Sequence, residues 1–522
     1  MKKILTTAIL CAGLMSFTAC SDFLEETPKT ELTTVGYYTT EAQALANVNY
    51  LYRTGAIRQI ASAPSAYVGS FASITGFLTG YFSNSYEGQE IVCKYSRELN
   101  RQQYTMQISG TMDGVWDACY KAINVANAAI KNIPGIKMDE NVANKYVAEA
   151  KFFRAFNYYY LVKTFGDVPF YTEPYVIAEN MELERTAAAT VYAQVEKDLQ
   201  DAIAVLPEAK FADNAHRITK YAAAMMLTTV YMQQGKYAEA VPYARIVINS
   251  PHGLTQNDNL TDKSAFNKLR SIDDLDEVIY AQEYDNAVNT SDWFPTYSVS
   301  SSAVSVFKKY SIFERVYGPT DGFLNVYDKD NDLRIQPNQF FHWKYTNPVN
   351  GAVWESKVAG CWYYFDEDAL LNTGKGTKDW NIFRYAEALL DGAEAIAQST
   401  GVTDEAAGYL AQVQARARLD GKTAEDIKPT LLALSKQAFI EACWTERLRE
   451  FPLEYKIWDD CVRTGKFPVI STTTPGQVSY VDLIGAKNAS GATFKKTDLL
   501  WPISVNERQR NPNLTQNEGY EN

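Results

Sequence analysis

Residues 219–249, TKYAAAMMLTTVYMQQGKYAEAVPYARIVIN, decide the fold class of this chain. Leu227, Tyr231, Gly235, Tyr237 and Ala240 follow one another at spacings of four, four, two and three residues. A glycine at position 235 permits a tight turn between two helices, because it lacks the side chain that restricts backbone conformation. An alanine at position 240 lets the two helices approach closely, and the tyrosines fill the space between layers. The segment therefore predicts a pair of antiparallel helices.

The same five positions match the tetratricopeptide pattern, in which such helix pairs stack along the chain. A plain helical hairpin with a coincidental match is the alternative, and the number of matched positions favours the repeat. Apolar residues at three- and four-residue spacing predict further helices on both sides of this segment. These helices are predicted at 41–52, 116–130, 146–161, 191–206, 382–398, 404–418, 430–449 and 454–463.

Two stretches, 61–110 and 254–379, interrupt the helical pattern. They are rich in aromatic and turn residues, and the second contains one strand-like segment at 277–280. We interpret them as long loops on a helical scaffold, where binding residues concentrate. Five tryptophans fall in or beside the second stretch: Trp293, Trp343, Trp354, Trp362 and Trp380.

The first twenty residues have the layout of a lipoprotein signal. Lys2 and Lys3 precede an apolar run, and small Ala19 precedes Cys20. We expect residues 1–19 to be a signal peptide, Cys20 to be the lipidated first residue, 20–35 to be a lipidated tether and 36–522 to be one domain. An ordinary signal peptide cut near Ala19 is the alternative. The apolar run is shorter than the ~20 residues that a spanning helix needs.

Composition excludes several classes of protein. The 522 residues include 62 acidic and 50 basic side chains, for a net charge of −12, and no cluster of Lys or Arg. Nucleic-acid binding is therefore not expected. The three histidines are far apart, and neither a zinc site nor a disulfide framework is predicted from the cysteines. Asp328, Asp330 and Asp332 alternate like calcium ligands, but Leu333 stands where the EF-hand requires glycine, so a solvated turn is the default. We expect no metal and no cofactor.

No catalytic motif stands out. The sequence lacks GxSxG, HExxH and a Walker motif, and 374–377 has the wrong spacing for a phosphate loop. A pair of carboxylates for glycoside hydrolysis requires a spatial separation that a sequence does not reveal. We expect a protein that is not an enzyme, with a lipid-anchored glycoside hydrolase as the less favoured alternative.

Six segments of the chain form a recognisable series: the lipidated start at Cys20, then 116–127, 149–169, 384–395, 446–466 and 502–520. Together they resemble the SusD/RagB family of outer-membrane nutrient-binding lipoproteins, and they occur in the order typical of that family. The sequence departs from the family pattern at Tyr455, Ile457 and Glu518, where the family usually has glycine, arginine and proline. The departures concern the local geometry after Pro452.

The resemblance implies a mainly α, SusD-like fold of four tetratricopeptide-like helix pairs with a loop-rich ligand-binding face. It implies a cell-surface protein that captures oligosaccharide and delivers it to a SusC-like TonB-dependent transporter of the outer membrane. A peptide-binding, RagB-like nutrient receptor is the alternative within the same scaffold.

Aromatic residues in the two irregular stretches are the candidate ligand platforms. An aromatic ring offers a flat face of partial negative charge to the C–H groups of a sugar, and polar neighbours bind the hydroxyls. Core packing is the more common role for any single aromatic residue. The candidates that lie beside polar residues are Tyr81, Tyr86, Trp293, Trp354 and Trp362.

Overall fold

A computed structural model of the chain describes residues 38–54, 75–84, 97–99, 106–175, 182–285, 294–307, 315 and 317–520. Cys20, Tyr86 and Trp293 lie outside the described residues, as does the predicted signal peptide. In the described part, no helix is both long enough and apolar enough to cross a membrane.

The fold is mainly helical, with short strands between the helices. The helices are α1 Glu41–Thr54, α2 Met106–Asn132, α3 Glu140–Phe165, α4 Ala188–Val205, α5 Lys220–Gln233, α6 Tyr237–Ile248, α7 Ala265–Ser271, α8 Phe294–Tyr297, α9 Asp321–Leu324, α10 Tyr385–Thr400, α11 Asp404–Arg416, α12 Ala424–Leu432, α13 Lys436–Glu450, α14 Ile457–Thr464 and α15 Val505–Arg510. The strands are β1 Phe82–Ser83, β2 Val278–Gln282, β3 Gly318–Pro319, β4 Phe341–Thr346, β5 Val353–Cys361, β6 Trp380–Arg384, β7 Lys466–Ile470 and β8 Val478–Asp482.

The tetratricopeptide segment forms the predicted helix pair. The Thr219 side chain caps α5 by accepting a hydrogen bond from the backbone N–H of Ala222. Gly235 adopts a φ of +68° in the turn before α6, a conformation that favours glycine. Ala240 is fully buried. The pattern in residues 219–249 is therefore confirmed as an antiparallel helix pair.

The main scaffold is a row of helices in which each helix packs against the next. It consists of α1 with α2, α3 with α4, α5 with α6, and α10 with α11, and neighbouring pairs also touch. The contact between the third and fourth pairs is close at Gly392 of α10, where an added Cβ would lie 2.9 Å from Cδ1 of Ile248 in α6. Four helix pairs thus share one apolar core.

The strands form four small antiparallel sheets: β1 with β3, β2 with β6, β4 with β5, and β7 with β8. The predicted strand at 277–280 is confirmed as β2. Its partner β6 immediately precedes α10, so the helix predicted from 382 begins instead at Tyr385.

Three other sequence predictions differ from the structure. The helix predicted at 430–449 is two helices, because Ser435 caps a new helix by accepting from the N–H of Ala438. The stretch 254–379 contains the hairpin β4–β5 as well as loops. The end of the stretch 61–110 already belongs to α2, which begins at Met106.

Overpacking at Ala240 tests the helix-pair interface. We expect Ala240→Trp to lower the free energy of unfolding by about 1–3 kcal/mol, because a large ring does not fit between α5 and α6. Ala238→Trp is the matched control, since Ala238 is exposed on the same turn of α6. Thermal unfolding of the two variants checks this, and equal melting temperatures would contradict the packing.

Candidate ligand-binding cleft

A cleft of about 310 Å³ opens in the irregular part of the chain. Its walls come from α7, from the chain on both sides of β2, from the start of α8, and from residues 363–368 and 376–381. Leu453 and Glu454, just after α13, also line it. Most of the lining therefore belongs to the stretch 254–379. Among the described residues of 61–110, none lines this cleft.

Five aromatic side chains form the apolar wall of the cleft. The Phe294 ring packs at 5.0 Å from Tyr364 and at 5.4 Å from Trp380, with interplanar angles of 20° and 29°. Trp380 stacks in turn on Tyr455 at 5.5 Å and 12°. Trp380 is half-buried, so this packing holds it in place while part of the indole remains accessible. The aromatic residues of this wall are Phe294, Tyr363, Tyr364, Phe365 and Trp380, and a sixth aromatic residue, Tyr284, also lines the cleft.

Backbone pairing fixes the position of Trp380. It is the first residue of β6 and lies opposite Gln282 of β2. The Tyr364 hydroxyl donates to the carbonyl oxygen of Leu453, which joins the aromatic wall to the chain after α13. The wall is thus held by both main-chain and side-chain contacts.

Arg270 of α7 lies beside the aromatic wall. Its guanidinium is 5.2 Å from the ring centre of Trp362 and 5.9 Å from that of Phe365, and Nη1 donates to the Phe365 carbonyl oxygen at 2.8 Å. Burial lowers the pKa of Arg270, and the carboxylates of Asp366 and Glu367 oppose that shift.

Carboxylates form the polar side of the cleft. Asp273 is 2.7 Å from the Lys378 ammonium and accepts a hydrogen bond from the N–H of Asp379 at 3.0 Å. Asp379 accepts from the N–H of Tyr284 at 2.8 Å. Burial, reinforced by the nearby Asp273 charge, raises the pKa of Asp379 to about 7. One cleft therefore combines aromatic rings with hydrogen-bonding groups, as in sites that bind small molecules.

A buried ion network supports the floor of the cleft. Arg384, at the end of β6, is fully buried and lies 2.5 Å from Glu277 and 2.6 Å from Glu454. Glu454 lines the cleft, and burial raises its pKa although Arg384 opposes the shift. Burial disfavours ionisation of Glu277 as well, but Arg416 and Arg384 outweigh it and hold its pKa below the ordinary value.

A smaller cavity of about 100 Å³ shares Trp380, Asn381 and Glu454 with the cleft. It is lined by charged groups that pair with one another, among them Lys456 with Glu387.

The aromatic residues predicted as ligand platforms differ in their burial and surroundings. Tyr81 is only 6% exposed, its ring stacks on Phe467 at 5.8 Å, and its hydroxyl donates to the Pro468 carbonyl oxygen at 2.7 Å. This packing places Tyr81 in the core and corrects the expectation of an exposed platform. Tyr86 and Trp293 lie outside the described residues.

Trp354 and Trp362 lie in a separate apolar cluster beside the cleft. Trp354 stacks on Tyr345 at 5.1 Å. Trp362 stacks on Phe365 at 4.2 Å, and its indole N–H donates to Oδ1 of Asn267 at 2.9 Å. Both rings are half-buried and neither lines the cleft itself, so their role as platforms stays a prediction.

Sequence reasoning did not select the residues that line the cleft. The signal that could have found them is the run Tyr363-Tyr364-Phe365-Asp366-Glu367-Asp368, in which aromatic and acidic side chains adjoin. Trp380 follows Lys378 and Asp379 and so also adjoins polar residues, but it is not among the predicted platforms.

A second groove, of about 510 Å³, lies between α2, the chain after α3 and the C-terminal segment. Tyr120 and Tyr171 stack there at 6.0 Å, and Glu507 and Arg510 lie at its edge. Burial raises the pKa of Glu507, although Arg510 opposes the shift.

The described residues contain no group of three or more His, Cys, Asp or Glu side chains placed to hold a metal ion. Asp332 is bound to Arg334 at 2.8 Å, and Asp328 caps the turn by accepting from the N–H of Asp330. The alternating aspartates thus serve the turn and a buried ion pair.

The fold is a stack of helix pairs with an aromatic-lined cleft on its loop-rich side. Two family models match separate parts of the chain: the SusD family over residues 363–520, and "Starch-binding associating with outer membrane" over residues 22–232. The chain belongs to the SusD/RagB family.

Individual relatives agree with this assignment over most of their length. SusD-like protein P2 of Formosa agariphila is 25% identical over 478 residues, which cover 89% of this chain and 91% of that protein. The starch-binding protein SusD of Bacteroides thetaiotaomicron is 24% identical over 434 residues, 72% of each chain.

Solved structures show the same fold. A SusD superfamily protein from Parabacteroides distasonis has a TM-score of 0.79 at 25% identity, covering 92% of this chain and all of that one. Surface glycan-binding protein A from Bacteroides thetaiotaomicron, solved in complex with laminarihexaose, has a TM-score of 0.69 at 17% identity, with 92% and 100% coverage.

The raised pKa of Asp379 predicts that the free energy of unfolding depends on pH. Since the folded-state pKa of about 7 exceeds the ordinary value near 4, ionising Asp379 destabilises the folded protein progressively as the pH rises from about 4 to 7. We expect Asp379→Asn, which keeps the acceptor for the Tyr284 N–H, to raise the free energy of unfolding at pH 8 by on the order of 1 kcal/mol. At pH 4 Asp379→Asn should leave the free energy of unfolding unchanged.

Thermal unfolding at the two pH values measures this difference. Glu367→Gln, which removes an exposed carboxylate from the same cleft, is the control. If Asp379→Asn changed the free energy of unfolding equally at both pH values, burial would not raise the pKa of Asp379.

Proposed function

We propose that this protein is a cell-surface lipoprotein that captures oligosaccharide in the aromatic cleft and delivers it to a SusC-like TonB-dependent transporter of the outer membrane. The observation that carries the proposal is the half-buried Trp380, held in an aromatic wall of a cleft that also contains hydrogen-bonding groups. Such a wall suits the C–H face of a sugar ring, and the polar groups suit its hydroxyls. The relative bound to laminarihexaose supports a glycan as the ligand.

Location at the outer membrane is supported by the name of the family that matches residues 22–232. Anchoring through Cys20 rests on the sequence alone. In this proposal 1–19 is removed as a signal peptide, 20–35 is the tether and 36–522 is one binding domain.

A peptide ligand remains the alternative within the same scaffold, since helical-repeat grooves also hold peptides. One observation favours a hydrolase enough to test it. Asp379 lies beside the Asp273 carboxylate, and burial raises the pKa of Asp379 to about 7, so that it can act as a general acid near neutral pH. Incubation with each bound glycan, followed by analysis for shortened products, distinguishes an enzyme from a binding protein.

Substitution of Trp380 tests the site. We expect Trp380→Ala to weaken glycan binding by about 2 kcal/mol or more, because buried aromatic anchors dominate such interfaces. Trp380→Phe should retain part of the affinity. The measurement is calorimetry with a ligand identified on parallel glycan and peptide arrays.

Trp354→Ala is measured beside it, because that tryptophan lies in the neighbouring cluster, does not line the cleft and remains a predicted platform. If Trp354→Ala abolished binding and Trp380→Ala did not, the site would lie at the hairpin β4–β5. If only peptides bound, the peptide-receptor alternative would replace the proposal.

Removal of Cys20 tests the anchor and the partner. We expect Cys20→Ala to shift the protein from the membrane fraction to the soluble fraction, since buried lipid chains supply the anchoring energy at ~0.8 kcal/mol per methylene. The lipidated parent should co-purify with a large outer-membrane barrel protein in mild detergent. Unchanged membrane association of Cys20→Ala, or recovery of the lipidated parent without any barrel, would contradict the respective part of the proposal.

A further inference from the structure

Acidic groups outnumber basic groups in the cleft. Among the described residues that line it, only Arg270 and Lys378 are basic. The carboxylates that line it are Asp273, Asp366, Glu367, Asp368, Asp379 and Glu454.

Both basic groups are already engaged. The Lys378 ammonium lies 2.7 Å from Asp273. The Arg270 guanidinium covers the Trp362 ring and donates to the Phe365 carbonyl oxygen. A ligand carboxylate or sulfate would therefore meet two cations that already interact with groups of the protein, among six carboxylates.

The consecutive residues Asp366, Glu367 and Asp368 form an acidic rim. Asp366 accepts from the N–H of Ala369 at 2.9 Å, and Asp368 accepts from the amide of Asn372 at 2.7 Å. Glu367 and Asp368 are exposed. In the part of the chain that the structure describes, no Lys or Arg pairs with any of the three within 4 Å. Arg270 interacts electrostatically with Asp366 and Glu367, so the three carboxylates of the rim outnumber the one positive charge that acts on them.

This charge distribution discriminates between classes of glycan. A cleft lined by one sign of charge with apolar walls concentrates the field inside it, so like-charged ligands are repelled. Ionised carboxylates accept hydrogen bonds and donate none, and the hydroxyls of an uncharged sugar are donors that match them. Uronate and sulfate groups bring additional acceptors and negative charge to the same place.

We infer that the cleft is selective for uncharged oligosaccharides and that the rim of Asp366, Glu367 and Asp368 rejects uronate-containing and sulfated glycans. The inference rests on the proposed function of the cleft and narrows its ligand class. Neutralising the rim should admit anionic glycans while leaving uncharged ones bound.

The test uses the full lipoprotein in detergent and two sets of hexasaccharides. The uncharged set is laminarihexaose, cellohexaose and maltohexaose, and the anionic set is hexagalacturonate and hexamannuronate. We expect the parent to bind a member of the uncharged set at least tenfold more tightly than either uronate at low salt. The triple variant D366N/E367Q/D368N, whose side chains keep their acceptor oxygens, should bind uronate at least tenfold more tightly than the parent and uncharged glycan within threefold of it.

A control with the same change in net charge is E425Q/D482N/E518Q. Those carboxylates are 81%, 82% and 89% exposed, and none lines the cleft. It should bind both sets as the parent does, which separates the local rim from overall charge.

The outcomes distinguish the two proposals. Parent affinity for a uronate equal to or above that for every uncharged glycan would overturn the selectivity and leave glycan capture intact. An unchanged uronate affinity in the rim variant, with uncharged binding preserved, would also overturn it. Absence of binding to both sets and to a broad glycan array would instead overturn the proposed function.

Discussion

The structure depends on a charge network buried where the irregular segments meet the helices. Arg384 has no exposed surface and binds Glu277 before β2, Glu450 at the end of α13 and Glu454 beyond it. Arg416 of α11 bridges Glu277 and Glu450. Ionic groups buried in this way are not by themselves a source of stability, because desolvation offsets their attraction. Removing one partner is nevertheless costly, since it leaves a charge buried without compensation, so the network fixes the relative positions of the segments that it joins.

That constraint explains how a cleft can form from residues with little regular structure. Glu454 belongs both to the network and to the cleft lining, and Trp380 lies four residues before Arg384 on β6. The loop carrying Tyr364 is bound to the chain after α13. Loops placed by a rigid scaffold are common locations for binding residues. Here the scaffold supplies fixed charges and a paired strand, and the loops supply the rings.

Contacts between segments distant in sequence also position the polar side of the cleft. The N–H of Tyr284 donates to the Asp379 carboxylate, and the N–H of Asp379 donates to the Asp273 carboxylate. The two carboxyl groups therefore lie close together in a partly buried region. The pKa of Asp379 rises because burial disfavours its charge and Asp273 repels it. The acidic character of the site is therefore a property of how the loops fold together as well as of their composition.

The sequence by itself determined the helical scaffold and the family. Residues 219–249 specify a helix pair through their local spacing, and residues 277–280 specify a strand through their apolar run. Both signals are readable from the sequence because they are confined to neighbouring residues. Only the tertiary structure decided which aromatic rings share a cleft. Tyr81 and Trp380 are both aromatic residues beside polar ones, yet Tyr81 stacks on Phe467 in the core and Trp380 remains half-buried at the cleft. The physical reason is that exposure of a ring depends on segments distant in sequence: Phe467 and Pro468 cover Tyr81, whereas pairing of β6 with β2 places Trp380 at an open wall.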